Sequence, residues 1–299
     1  MADNEIKGIF SPRKDRFPIP SGSDAAFFKD SFSLRTILLL GATAQAGLTL
    51  ILPPRYALLP TAFLILHTIA STVHSVVTFP STPPSPSGSS PTDTIPGRAS
   101  VFLPSPQPSS TSSIYSPTEK QGLAVLHLGV RFSHPLGLFA PGVREIGAHF
   151  KTCNDAVLDS AKPYGCIGYS SWRGTTDDTN NTMVNIYYFR HIQGLNDFAH
   201  GDVHRKAWEW YERECTRAGK KGKGKGYAYI GVFHEAFEVD KGGWETIAVN
   251  MPPTLLGAGS VPVKVDKGEK VWVSPLVEAK GRMFKGQWDR MGRGGGKGE

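Results

Sequence analysis

The chain has 299 residues, a formal charge of +7 and three cysteines, with 39% of its residues hydrophobic. Cys153, Cys166 and Cys215 have neither CxxC spacing nor an even count, which argues against a disulfide framework or a cysteine zinc site and fits a reducing compartment. The positive charge collects in Lys220–Lys225 (KKGKGK), in Lys280–Lys297 and in the N-terminal arm; these runs alternate with glycine and carry almost no aromatics, so they read as solvated loop and tail and not as a nucleic-acid groove.

Residues 1–33 form a basic arm with Lys7, Arg13, Lys14, Arg16 and Lys29, and Arg35 lies just beyond it. Two uncharged apolar stretches come next within 34–79, Thr36–Leu52 and Tyr56–Phe79, each near the ~20 residues that cross a bilayer. The link Pro53-Pro54-Arg55 is too short to be a domain and too proline-rich to continue a helix, so a transmembrane helical hairpin is expected. The first stretch is marginal in length and the second contains Pro60, His67 and His74, which leaves a re-entrant or interfacial pair as the alternative. The apolar run starts too far from the N-terminus for a cleaved signal peptide. The charge in the arm outweighs the single Arg55 of the turn, which keeps the arm cytosolic and returns the chain to the cytosolic face, as in a multi-pass protein of the endoplasmic reticulum membrane. Asn180-Asn181-Thr182 is a formal glycosylation acceptor that matters only if this topology is inverted.

Residues 80–121 are dominated by Pro, Ser and Thr and read as a disordered linker between the hairpin and a soluble domain. Residues 122–260 show the alternation of that folded domain. Leu123–Phe132 is a candidate strand, and Pro141–Ala161 a candidate helix entered through its proline. Tyr164–Trp172 and Thr182–Arg190 read as two strands joined by GTTDDTNN. Phe189–Glu214 has Leu195, Ala199, Val203, Ala207 and Trp210/Tyr211 at helical spacing. Asn196, His200, His204 and Trp208 stack on the neighbouring stripe of that helix. Gly226–Val239 is a strand with Ala228, Ile230, Val232, His234 and Ala236 on one face and Tyr229, Phe233, Glu235 and Phe237 on the other. The order is βαββαβ, so the fold class is α+β, with a ferredoxin-like four-stranded antiparallel sheet covered by helices on one face. The aromatic opposite face needs a cover, and a second copy of the sheet is the simplest one. Residues 261–299 are expected to be a basic C-terminal extension.

A histidine on the apolar face of a strand needs a buried partner or a cavity, since an unsatisfied buried imidazole costs about 1–3 kcal/mol. His234 facing His200 and His204 across the helix–sheet layer would line a pocket with imidazoles. The structural alternative is that the three histidines cap and pack locally.

The segments FRHIQGLNDFAHGDVHRKAW, GVFHEAF and GGWETIAVNMPPTLLG, in this order, resemble a fungal monooxygenase-like family. That family is related to the antibiotic-biosynthesis monooxygenases of the dimeric α+β barrel class and occurs in secondary-metabolite pathways. The resemblance covers about Leu123 to Gly257. It implies a homodimer that consumes O2 and oxidises a small apolar metabolite without metal or flavin, with deprotonated substrate reducing oxygen in a dry pocket. His234, His204 and His200 are then the candidate catalytic groups, and Asn185, Tyr187, Tyr169 and Trp208 the candidate substrate-binding ones. The same segments resemble haem aldoxime dehydratases more distantly; on that comparison His204 would ligate haem iron and His234, followed by Glu235, would move protons in a lyase reaction. A non-catalytic binder of an apolar metabolite is the third class.

Overall fold

The computed structural model describes residues 6–19, 29–79, 93–106, 108, 114–115, 121–159, 164–175, 181–216, 225–265 and 269–291. The chain divides into two units, Gly22–Pro83 and a larger one that joins Met1–Ser21 to Pro84–Glu299. Asn180 and most of Lys220–Lys225 lie outside the described residues.

The smaller unit consists of two helices, α1 (Leu34–Ile51) and α2 (Leu59–Val77). Ser33 opens α1 by accepting a hydrogen bond from the Thr36 amide at 3.1 Å. Pro54 starts a single helical turn, Pro54–Ala57, where a proline lacks nothing because the first amide of a helix has no partner. Gln45 ties the pair together: its amide nitrogen donates to the Ala57 carbonyl at 3.1 Å, and its carbonyl accepts from Thr61 at 2.5 Å. Both helices are long and apolar enough to cross a membrane. Leu34–Ile51 buries no side chain, and Leu50 and Val77 are 88% and 77% exposed, a surface that water does not favour.

In the larger unit, β2 (Leu123–Phe132), α3 (Val143–Leu158), β3 (Cys166–Arg173), β4 (Thr182–Phe189), α4 (Ile192–Ala199), α5 (Asp202–Cys215) and β5 (Ile230–Val239) keep the expected βαββαβ order. The sheet runs β3-β4-β2-β5 with all pairs antiparallel, so the first and third strands of the repeat lie at the centre. Residues of one parity on β2 and β4 (Ala124, Leu126, Leu128 and Tyr187, Phe189) meet α3 and α4 through Val157, Leu195 and Phe198. Val130, Phe132, Met183, Ile230 and Val232 continue that face beneath Ile146, Phe150, Trp210 and Tyr211.

Three expectations need correction. The histidine helix is two helices: after Ala199, His200 and Gly201 turn, with Gly201 in extended backbone at φ −72°, ψ 156°, so the line Asn196–His200–His204–Trp208 is interrupted. A Cβ at 201 would lie 3.1 Å from the Phe198 carbonyl, a tighter approach than side chains ordinarily make. Strand β5 begins at Ile230, not Gly226. Tyr229 therefore leaves the expected aromatic face and donates from its hydroxyl to the Pro141 carbonyl at 2.6 Å.

The third correction concerns the flanks. Within the expected 80–121 linker, β1 (Ile95–Val101) is a strand, and Ile95, Ala99, Val101, Phe102 and Leu103 are buried; the few apolar residues among many prolines are enough to hold it. The expected C-terminal extension holds β7 (Val261–Lys264), β8 (Lys270–Val273) and β9 (Leu276–Glu278), and β6 (Ala248–Met251) precedes them. β1 lies between β6 and β9, and β7 pairs with β8. Ile6 and Ile9 of the N-terminal arm join the same core, and Gly8 and Arg13 bridge to Val277 and Trp272. Arg16, which the sequence places among membrane-flanking charges, donates to the carbonyls of Leu158, Cys166 and Ile167 at 2.8–3.0 Å and stacks on Trp272. This second core also covers part of the far side of the main sheet, through Leu123, Val125, Tyr188 and Val239.

Candidate active site

Register fixes which groups share the helix-facing side. Leu128 of β2 stands opposite Asn185 on β4 and opposite His234 on β5, and Asn185 in turn stands opposite Ser171 on β3. The next row is Tyr169, Tyr187, Leu126 and Ala236. Adjacent strands lie about 4.8 Å apart, so His234 and Asn185 are separated by about 10 Å of backbone with the half-buried Leu128 as the floor between them.

On the β3–β4 side the polar groups are tightly partnered. Ser171 donates to Asn185 Oδ1 at 2.7 Å, Asn185 Nδ2 donates to the Tyr187 hydroxyl at 3.0 Å, and Tyr187 donates to Asn154 Oδ1 on α3. Tyr187 is 4% exposed, and burial raises its phenol above the ordinary value, so it stays neutral. The Tyr169 ring lies tilted at 5.2 Å from that of Tyr187, and its phenol is raised as well, first by burial and then by the Asp155 carboxylate.

On the β5 side the site is open. His234 is exposed, because β5 is an edge strand, and this corrects the enclosed cavity expected around it. His204, half-buried on α5, donates from Nδ1 to the Ala199 carbonyl at 2.8 Å; that carbonyl can only accept, so the neutral ring keeps its lone pair on Nε2. Burial lowers its basicity, and the charges of His234 and His200 lower it further, which places the three imidazoles in one electrostatic neighbourhood. His200 is exposed and ends α4, its Nδ1 2.8 Å from the Asn196 carbonyl. Trp208, 48% exposed, stacks on Tyr211 at 5.5 Å. Among the described residues no three His, Cys, Asp or Glu side chains gather closely enough to hold a metal ion.

The structure thus brings Asn185, Tyr187 and Tyr169 together and sets His234 on the other side of Leu128. Two members were missed in the sequence, Asn154 and Ser171. Asn154 had a signal: it continues the Ile146–Phe150 stripe of α3 at four-residue spacing, a polar residue on an apolar face. Ser171 had none. His191, not considered, caps α4 by accepting from the Gly194 amide at 3.0 Å.

The family model "Monooxygenase af470-like" matches residues 123–256, which span every group of this network. Monooxygenase af470 of Aspergillus fumigatus is 31% identical over 293 residues, covering 97% of this chain and 99% of its own length. Among solved structures, an aldoxime dehydratase in complex with butyraldoxime is similar over 53% of this chain and 38% of its own, at 16% identity and a TM-score of 0.36. SnoaB, a cofactor-independent oxygenase from Streptomyces nogalater, is similar over 38% of this chain and 90% of its own, at 14% identity and a TM-score of 0.25. With 31% identity to one relative over nearly the whole of both chains and a family model laid over the βαββαβ domain, the chain belongs to the Monooxygenase af470-like family.

Proposed function

We propose that this protein is a membrane-tethered monooxygenase that oxygenates a small apolar metabolite of a secondary-metabolite pathway on the helix-facing side of its main sheet. The observation that carries the reading is the row Asn185–Leu128–His234: a titratable base and a fixed amide donor on either side of an apolar floor. His234 takes a proton from an activated C–H of the substrate, and the amide hydrogen of Asn185 not used by Tyr187 holds the oxygen on which negative charge develops. The carbanion adds to O2, and the peroxide, once protonated, breaks its O–O bond and gives up the second hydrogen of that carbon, so that water leaves and a carbonyl remains. Both oxygen atoms are then accounted for, one in the product and one in water. His204, with Nδ1 bound to the Ala199 carbonyl, keeps the Nε2 lone pair of its neutral ring free.

Haem chemistry is favoured by one observation: His204 is held in the tautomer that ligates iron through Nε2. A bound haem would supply a Lewis-acidic iron for lyase chemistry; the chain's part would be His204 as its ligand and His234 as the proton carrier.

Two assemblies complete the reading. Phe233, Phe237 and Trp172 on the far side of the sheet are 45%, 47% and 49% exposed, and a second copy of the sheet is the proposed cover. The hairpin leaves and re-enters one folded unit, since both the arm before it and the chain after it build the same core, so the two ends lie on one side of the membrane. We assign that side to the cytosol and the membrane to the endoplasmic reticulum, on the reduced cysteines and the basic arm. Replacing His234 by Gln tests the chemistry: the variant should fold and lose about 10²-fold or more in turnover, and near-parental product formation would refute the assignment.

A further inference from the structure

The N-terminal arm carries a chemistry that the sheet does not use. Seven serines or threonines of the chain precede a proline, and Ser11 alone among them has a cation three residues on, in Ser11-Pro12-Arg13-Lys14. These four residues are all exposed, whereas Ser274, which precedes Pro275 in the core, is 2% exposed. The arm is fixed on either side of Ser11. The Ile9 amide donates to the Leu276 carbonyl at 3.0 Å, and Arg13 and Trp272 exchange backbone hydrogen bonds of 2.9 and 2.7 Å. Between these points Phe10, Ser11 and Pro12 make no backbone hydrogen bond among the described residues. Pro12 has no amide to donate, and it biases Ser11 toward extended backbone. The surroundings are cationic: Arg16 and Lys270 lie over the Trp272 ring at 4.8 and 5.1 Å, and Asp15 is the single carboxylate of residues 6–19.

We propose that Ser11 is a phosphorylation site, modified by a proline-directed protein kinase that uses ATP, and that the arm must lift from β8 and β9 for the transfer. Such a kinase takes its acceptor as an extended segment, accepts proline where the amide of another residue would be left unpaired, and reads the cation three residues on with acidic groups of its own. In the transfer the Ser11 oxygen bonds to the γ-phosphorus of ATP, the bond from that phosphorus to ADP breaks, and the hydroxyl proton passes to the kinase's base. The cleft cannot hold Ser11 while Ile9 and Arg13 remain bound to the sheet strands, so the rate follows the opening of the arm. The new phosphate stands two and three residues from Arg13 and Lys14, which answer its charge within the arm. The site is independent of the monooxygenase reading and needs only that the arm meet ATP, as it would on the cytosolic side.

The test is incubation of the full-length protein in detergent with a cyclin-dependent kinase and ATP, with the phosphate located by mass spectrometry. This assay does not depend on membrane topology. The parental chain should take up phosphate at Ser11, and Pro12→Ala should abolish it. Lys14→Ala should slow it by about tenfold or more. Arg16→Met, which keeps Ser11 to Lys14 but loosens the arm's anchor on α3 and β3, should speed it by about tenfold or more. A peptide of residues 6–17, which needs no fold, should be modified at least as fast as Arg16→Met and should show the same losses with Pro12→Ala and Lys14→Ala. A parental chain that takes up no phosphate at Ser11, whatever the peptide does, overturns the proposal, as does uptake that Pro12→Ala and Lys14→Ala leave unchanged. An Arg16→Met rate equal to the parental one overturns the lifting of the arm.

Discussion

Asn185 and His234 stand opposite the same residue, Leu128, on the helix-facing side of the sheet, one on each strand that flanks β2. Their chemical conditions differ. Asn185 is fixed by Ser171 on one side and Tyr187 on the other, whereas His234 sits exposed on an edge strand. A rigid donor opposite an accessible base is what proton abstraction next to a carbonyl needs, since the donor's orientation is set before charge develops.

Arg16 is the first test of how the flanks are built. It satisfies three backbone carbonyls at the end of α3 and the start of β3, and burial lowers the basicity of its guanidinium. Arg16→Met keeps the stem over Trp272 but leaves those acceptors unpaired, and should cost about 3 kcal/mol. Thermal unfolding of the full chain in detergent checks it; an unchanged midpoint would show that the arm is not part of the folded unit.

His204 gives the fold a pH dependence. Its folded pKa lies below the ordinary value of 6.5, mainly through burial. A base depressed on folding contributes stability that is fully present above the unfolded value and is lost as pH falls from there through the folded one. The parental protein should therefore lose stability on acidification below about pH 6.5, and His204→Gln should flatten that slope. Parallel curves for the two proteins would count against the burial of this imidazole.

The exposed aromatic face predicts an oligomer. Phe237→Lys replaces the His127–Phe237 edge contact of 5.5 Å by a charge and should convert a dimer to a monomer without unfolding it. Light scattering of the full chain in detergent, corrected for the micelle, reads the outcome; a monomeric parent would rule out the second copy as the cover of that face.

The proposed topology rests on an N-terminal arm and a downstream chain that share one core. Epitope tags at the two termini should be digested together by protease added from the cytosolic side of microsomes, and Asn180 should carry no glycan. Protection of one tag alone, or a glycan at Asn180, would contradict a hairpin whose ends meet in one folded unit.

The parts of the fold legible in the sequence are those with strong periodicity. Alternation in β2, β4 and β5 marks strands within a few residues of their observed bounds, and the two apolar helices stand out by composition. The rest is illegible for identifiable reasons. The break between α4 and α5 is set by Gly201, an isolated glycine within a helical pattern that continues through it. β1 is short and lies among prolines, and its stability comes from β6 and β9, which lie well over a hundred residues further along the chain, so no local signal marks it. The site is legible by residue type on one face, which gathers Asn185, Tyr187 and Tyr169, but not by connectivity. Asn154 joins the network from a helix, through a contact that only packing creates.

Oxygen insertion that depends on His234 is tested most directly by isotope. Cells expressing the parental protein or His234→Gln are grown under 18O2 and their metabolites compared with those of a deletion strain. The expected result is a product carrying one 18O atom in the parent, and in His234→Gln the same unlabelled precursor that the deletion strain accumulates. A parental product without 18O, or a labelled product at parental level from His234→Gln, would contradict it.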